Sequence, residues 1–331
     1  MSESNRHPSR RDAIRAGLAA GLGLTLTRLP ASAQLERAGR IWLQQPLITK
    51  KIPKSGEALP VVGIGTNQFG VSTAEEAAPL RDTLKRMSEL GLKVVDTARG
   101  YGRSEEVIGQ AVKEIGNRDR LFIATKFSLG GRGVTAAPSA TEAKAGLEQA
   151  FARLQTDKID LMMVHNLGGT DTLMPLMLEL KQAGRFRYIG ISTSSDNQYE
   201  PLLAAMNTLP LDFIEVDYSI GNRGSEQQIL PLAQEKGMAV LVNVPFGGRR
   251  ATVLQEMASQ QLPDFAKELG ATSFAQLFLK YIVSHPAVTV VIPGTRRVAH
   301  LEDNAGAAMG TLPTAELRKR IEQFYDAVPK S

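Results

Sequence analysis

The sequence predicts an α/β protein folded as a closed (β/α)8 TIM barrel with extra C-terminal helices. Three observations carry the prediction. Eight short apolar runs recur along the chain, and segments with helical spacing separate most of them. The 331 residues also suit a barrel of about 250 residues with additions.

The runs are VVGIGT (61–66), KVVDT (93–97), LFIATK (121–126), IDLMMVH (159–165), FRYIGIS (186–192), DFIEVDY (212–218), AVLVNV (239–244) and VTVVIPG (288–294). They are nearly continuous in apolar, often β-branched residues, as strands buried on both faces must be. Between the first two, Ala77, Leu80, Leu84, Met87 and Leu90 make one helical stripe that stops at Gly91, a C-terminal signal. SEEVIGQAVKEIG and TEAKAGLEQAFARLQ each open with Ser or Thr before Glu, as helix N-termini often do. Strands alternating with helices imply a parallel sheet, and eight repeats imply closure. The alternative is an open doubly wound sheet. It normally carries G-x-G-x-x-G after its first strand, and GIGTNQFG does not match. Residues 34–60 are expected to form a short segment, a hairpin across the barrel bottom. Residues 273–285 and 314–328 are expected to be extra helices, and residues 34–331 a single domain.

The first 33 residues have a different character. SRRDAIR is followed by twelve uncharged residues, Ala16 to Thr27, then Arg28 and the A-x-A sequence Ala31 to Ala33. A basic start, a short apolar middle and a small-residue end describe a secretory signal, and Arg10-Arg11 suggests the twin-arginine type. Cleavage after Ala33, a periplasmic or otherwise exported location and the twin-arginine machinery as a partner are the expectations. This segment carries five Arg against Glu3 and Asp12, so +3 of the net +5 lies there and only +2 remains. No basic block interleaved with aromatics occurs in the remainder, so nucleic acid is not an expected partner. No later stretch approaches 18 apolar residues, so no stable membrane association of the mature protein is expected. The chain has no Cys, which excludes disulfides, thiolate nucleophiles and Cys-based metal sites, and no metal is expected.

Barrel active sites are built at the C-terminal ends of the strands. Asp96 closes the second run, Lys126 the third and His165 the fourth, while Tyr101 stands in the loop after Asp96. A carboxylate, an amine, an imidazole and a phenol thus converge on one rim. A free phenol titrates near 10 and is a poor acid at neutral pH. A neighbouring ammonium is expected to lower that value toward the working range. Tyr101 would be the general acid, Lys126 its tuner, Asp96 the Lys partner and His165 the group that orients a substrate oxygen. Such a site protonates an oxygen on which negative charge develops, as reduction of a small-molecule carbonyl by hydride from a cofactor requires.

VVDTARGYGRSEEVIG, IATK, LMMVHN, YIGIS and VIPGTRRVAHLEDN, in this order, resemble the aldo-keto reductase superfamily over about residues 48–328. The resemblance implies a barrel that binds NADP(H) without a Rossmann fold and a catalytic tetrad of Asp96, Tyr101, Lys126 and His165. It implies cofactor contacts from Thr66, Asp96, Ser192, Thr193 and Glu215. The PGTRRVAHLEDN segment would grip the adenosine phosphates through Gly294, Thr295, Arg296, Arg297 and His300, with Asn304 on the adenine. Many members have Asn where this chain has Thr193, Gln where it has Glu215, and an aromatic where it has Asn243, with Phe246 nearby as a substitute. Gly294 and His300 replace a common Lys and Arg. A non-catalytic NADP(H)-binding regulatory subunit is the alternative function; a sugar-binding or lyase barrel is disfavoured by the phosphate segment.

Overall fold

The computed structural model describes residues 46–129, 139–248 and 252–329. It begins with the antiparallel pair β1 (Thr49–Lys51) and β2 (Ala58–Pro60). Eight parallel strands follow, one at each apolar run. They are β3 (Ile64–Gly65), β4 (Val94–Asp96), β5 (Phe122–Phe127), β6 (Ile159–His165), β7 (Phe186–Ser192), β8 (Phe213–Asp217), β9 (Ala239–Asn243) and β10 (Val288–Val291). Each pairs with the next in chain order. Parallel bridges between Val62 and Val291 and between Gly65 and Gly294 close the ring.

Side chains alternate along a strand, so every second residue faces the barrel interior. Val94, Phe122, Ala124, Leu161, Met163, Tyr188, Phe213, Leu241 and Val290 fill it, together with Ile52 and Leu59 from the hairpin. The hairpin therefore plugs the end where the strands begin. Lys54 donates to the Leu211 carbonyl (2.5 Å) and Tyr188 donates to Ser55 (2.8 Å) at that end. The intervening residues, such as Val95, Ile123, Met162, Ile189, Ile214 and Val240, face outward into the layer shared with the helices.

Helices α1 (Ala74–Glu89), α2 (Ser104–Ile115), α3 (Ala140–Leu154), α4 (Thr170–Gln182), α5 (Tyr199–Thr208) and α6 (Ile229–Glu235) connect β3 through β9. Leu80, Leu84 and Met87 of α1 are buried, and Gly91 follows the helix at φ 77°. Two helix starts differ from expectation. Ser139, not Thr141, caps α3, in a reciprocal capping box with Glu142. Ser104 does not cap α2; it is fully buried, with its hydroxyl 3.0 Å from that of Thr66 and 2.9 Å from that of Thr97.

After β9 come α7 (Thr252–Glu256), α8 (Asp264–Glu268) and α9 (Phe274–Ser284), then β10, α10 (Val298–Ala305) and α11 (Ala315–Asp326). The expectation of two extra helices is thus half corrected. α9 is the ordinary barrel helix that leads into β10, and only α11 is an addition after the last unit. α7 and α8 are insertions of five residues each, too short to show a helical period. The expected export signal (1–33), residues 34–45 and residues 249–251 lie outside the described residues. Among the described residues no helix is long and apolar enough to cross a membrane.

Candidate active site

The two-residue alternation that fills the barrel also builds its mouth. Stepping by two from Val94 reaches Asp96, and from Phe122 reaches Lys126. Leu161 leads to His165, Tyr188 to Ser192, Phe213 to Glu215 and Asp217, and Ala239 to Asn243. The inward face is apolar at the strand starts and turns polar over the last turn of the ring.

Lys126 is the centre of that polar layer. Its Nζ donates to both oxygens of Asp96, at 2.5 and 2.6 Å, and to the Thr97 carbonyl at 3.2 Å. Glu215 Oε2 lies 3.2 Å from the same nitrogen but accepts no hydrogen bond, so that contact is ionic only. All three charged side chains are about 99% shielded or close to it, at 1–2% exposure. Burial disfavours the ammonium, yet Asp96 and Glu215 overcome this and hold Lys126 above its ordinary value. Burial first, and then the Glu215 charge, push the Asp96 carboxyl well above the usual carboxylate range, against the pull of Lys126.

Tyr101 is set over this group by its loop. Its N–H donates to the Ala98 carbonyl (3.0 Å), and Gly102 follows at φ 64°. Gly70, in the loop after β3, packs so closely that an added Cβ would lie 2.3 Å from the Tyr101 carbonyl oxygen. Lys126 Nζ stands 5.4 Å from the centre of the Tyr101 ring. The His165 ring meets that ring edge-on, 5.8 Å between centres. The four residues are therefore together, as the sequence predicts. The expected lowering of the phenol is not what the structure gives. Burial, with Asp96 and Glu215 adding to it, outweighs Lys126 and pushes Tyr101 up to about 12. The phenol is thus firmly protonated at neutral pH.

His165 is followed by Asn166 and Leu167, both with positive φ (51° and 61°), and its carbonyl accepts from Gly168 (3.0 Å). Such residues cost about 1–3 kcal/mol each and need surroundings that enforce them. Burial, then the Lys126 charge, push the imidazole down to about 4, so it is neutral at pH 7.

The other predicted positions fall into three groups. Ser192, Glu215 and Asn243 line the mouth beside one another, since Ser192 registers with Glu215 and Asp217 with Asn243. Ser192 Oγ has only a 3.5 Å contact to the Val164 carbonyl. Asn243 Nδ2 donates to Glu215 Oε1 and to the Thr193 carbonyl, both at 2.8 Å, which leaves its Oδ1 buried and unpaired. Thr66 and Thr193 are fully buried and spend their hydroxyls on backbone: Thr66 on Asp96 (2.8 Å), Thr193 on Glu215 (3.4 Å). They brace the site from behind. Phe246 packs against the outer core.

The third group opens α10. Thr295 is buried and its Oγ1 accepts from the Arg297 N–H (3.1 Å). Gly294, Arg296, Arg297 and His300 are exposed, whereas Asn304 is buried in the last turn. Neither guanidinium makes an ion pair among the described residues. No side chain caps α10, so its first N–H groups also remain available.

Sequence reasoning missed Asp217, Asp196, Tyr199 and Asn222. Asp217 accepts from Asn222 (2.8 Å) and Tyr199 (3.2 Å), and Asn222 also donates to Asp196 (2.7 Å). Burial, then the Asp196 charge, push Asp217 up to about 6. Strand alternation from Phe213 would have found Asp217; Asp196 and Asn222 lie between the strands and α-helices, Tyr199 opens α5, and bringing them to Asp217 needed the fold.

The fold and site define a class: a (β/α)8 barrel with an acid–amine–phenol–imidazole group at its C-terminal mouth. Residues 61–326 match the Aldo/keto reductase family. Methylglyoxal reductase YeaE of Escherichia coli (strain K12) is 31% identical over 288 residues, covering 84% of this chain and 95% of the relative. Aldo-keto reductase YhdN of Bacillus subtilis (strain 168) is 28% identical over 280 residues, 73% of this chain and 82% of the relative. An aldo/keto reductase structure from Klebsiella pneumoniae in complex with NADP and acetate matches with a TM-score of 0.68 at 25% identity, covering 86% and 98% of the two chains. The holo form of aldo-keto reductase AKR11C1 from Bacillus halodurans gives 0.67 at 26%, covering 84% and 96%. The chain belongs to the aldo/keto reductase family and is an oxidoreductase.

The neutral His165 makes a stability prediction. Its imidazole titrates near 6.5 when unfolded and about 4 when folded, so the unfolded chain binds the extra proton in between. Stability must fall as pH drops through that window. His165→Gln should lose about 2 kcal/mol less than the wild type between pH 7 and pH 4.5, measured by denaturant unfolding. Parallel losses would mean that the folded imidazole protonates freely.

Proposed function

We propose that the protein reduces an aldehyde or ketone to an alcohol with NADP(H). The observation that carries this reading is the buried Lys126–Asp96 pair lying beneath Tyr101 and His165 at one mouth. A binding-only regulatory subunit has no need of a shielded ammonium beside a phenol, so the catalytic reading is preferred.

The residues present fit the cofactor. A primary carboxamide offers two N–H donors and one acceptor oxygen. Glu215 Oε2 and Asn243 Oδ1 are buried acceptors without a hydrogen bond, and the Ser192 hydroxyl beside them has only a long contact to lose. The exposed Arg296 and Arg297, with the uncapped start of α10, suit phosphates, since a guanidinium meets a phosphate in forked geometry. NADP(H), when bound there, supplies hydride to the carbonyl carbon. Tyr101 donates its phenolic proton to the carbonyl oxygen, which completes the alcohol. Neutral His165 donates a hydrogen bond to that oxygen and sets its approach. Lys126 stabilises the phenolate left behind, and Asp96 keeps the ammonium in place. Two of the relatives point the same way: one is named for methylglyoxal reduction, and one solved structure is described as a complex with NADP.

We also propose that residues 1–33 are a twin-arginine export signal removed after Ala33, so that the barrel works outside the cytoplasm. The support is the Arg10-Arg11 pair, the uncharged run and the A-x-A ending. Passage of an already folded barrel suits an enzyme that carries its nucleotide with it.

Three outcomes are expected. Tyr101→Phe should lower carbonyl reduction by about 10²–10⁴-fold with NADPH binding almost unchanged; full activity in that variant would remove Tyr101 from the role of acid. Arg296→Ala with Arg297→Ala should weaken NADPH by about 1.5–3 kcal/mol per charged hydrogen bond lost while barely affecting NADH. Equal weakening of both nucleotides would make the arginines structural. Changing Arg10 and Arg11 to Lys should leave uncut, active precursor inside the cell. Export of that variant at the wild-type rate would rule out the twin-arginine route.

A further inference from the structure

Glu215 has no step in the chemistry above, yet it sits at the middle of the barrel mouth at 2% exposure. One oxygen is held by Asn243 (2.8 Å), and the other faces Lys126 at 3.2 Å without a hydrogen bond. The charges in this layer do not balance. Lys126 brings one positive charge, while Asp96 and Glu215 bring two carboxylates. His165 is neutral at pH 7. The next inward residue on β8, Asp217, is a further carboxylate. Among the described residues no second cation reaches the cluster. A shielded group of this kind cannot rely on water to spread the excess, because charge effects grow as the local dielectric falls. The strain is visible on Asp96, whose carboxyl is driven well above its usual range by burial and by Glu215.

With both carboxylates ionised the mouth is one positive charge short, a deficit that a proton on Asp96 or a bound cation can fill. The two forms of a nicotinamide ring differ by that one charge: the oxidised ring is a cation and the reduced ring is neutral. The remainder of the nucleotide is the same in both. A fixed carboxylate next to the ring position therefore acts on the difference between the two forms, whereas the phosphate contacts at α10 act on both alike. A ligand that binds two states unequally shifts the balance between them by the ratio of its affinities.

We propose that Glu215 makes this site discriminate between cofactor oxidation states, holding NADP+ more tightly than NADPH. The inference rests on the cofactor reading given above. Its consequence is thermodynamic: tighter binding of the oxidised form lowers the potential of the bound couple, by about 30 mV for each tenfold of preference. The reduced enzyme is then the stronger hydride donor, and the oxidised nucleotide is the form that stays bound.

The test is direct titration rather than turnover. The full-length protein, freed of nucleotide, is titrated separately with NADP+ and with NADPH by calorimetry. Glu215→Gln, which keeps shape and removes the charge, and Glu215→Asp, which keeps the charge, are titrated alongside it. A stoichiometry near one in each variant shows that the site is folded. The wild type should prefer NADP+ by about tenfold or more, a modest share of the attraction between unit charges across a few ångströms of protein. Glu215→Gln should lose that preference, mainly through weaker NADP+ binding, and Glu215→Asp should keep most of it. A ratio unchanged in Glu215→Gln overturns the proposal, as does an equal loss in both variants, which would assign the effect to shape. A wild type that binds neither nucleotide overturns the cofactor reading instead, so the two failures are distinct.

Discussion

A ring of eight parallel strands has a single inward face, and every second residue of every strand must go into it. Near the strand starts that face has no access to water, because Ile52 and Leu59 of the β1–β2 hairpin close it. Apolar side chains are therefore required there. At the other end the ring opens, and the same alternation delivers whatever the sequence holds at the last inward positions. Asp96, Lys126, His165, Ser192, Glu215 and Asn243 arrive at the same open end because all the strands run parallel, and His165, Ser192 and Glu215 are direct register partners across three neighbouring strands. The site is the top layer of the core, built by the same rule as the layers beneath it.

That origin explains its electrostatics. The charged groups stand on rigid strands in a shielded place, so they cannot relax apart. An ammonium left alone at such a position would lose its proton, and one with a single carboxylate would be neutralised. Here Lys126 faces two carboxylates, and burial, with the excess negative charge adding to it, raises both Asp96 and Tyr101. The phenol is a poor acid until an oxygen beside it gains charge. In the proposed reaction this would be differential stabilisation: the group would be matched to a state that arises during reaction rather than to the resting one.

Loops finish what the strands begin. Tyr101 is not on a strand, and its position depends on the close approach of Gly70 and on the turn at Gly102. The loop after His165 holds two consecutive left-handed residues, Asn166 and Leu167, and Val244 after β9 has φ 50°, unusual for a β-branched residue. Strain of this kind collects around the mouth and is sustained by the packed ring below it.

Much of the fold was legible from the sequence alone. The eight apolar runs and their helical separators need only local patterning, which depends on neighbours two to four residues away. The order and residue types of Asp96, Tyr101, Lys126 and His165 were legible for the same reason, since strand ends can be read from where apolar runs stop. The five-residue helices α7 and α8 were not legible, being shorter than the period that would reveal them. Nor could the sequence tell that Ser104 is buried with Thr66 and Thr97, or that α9 belongs to the ring. Only the tertiary structure decided the sign of the Tyr101 shift. That sign depends on the balance between burial, one ammonium and two carboxylates, and Glu215 reaches Lys126 from a strand 89 positions further along the chain. Charges couple through space, and their distances exist only once the ring is closed.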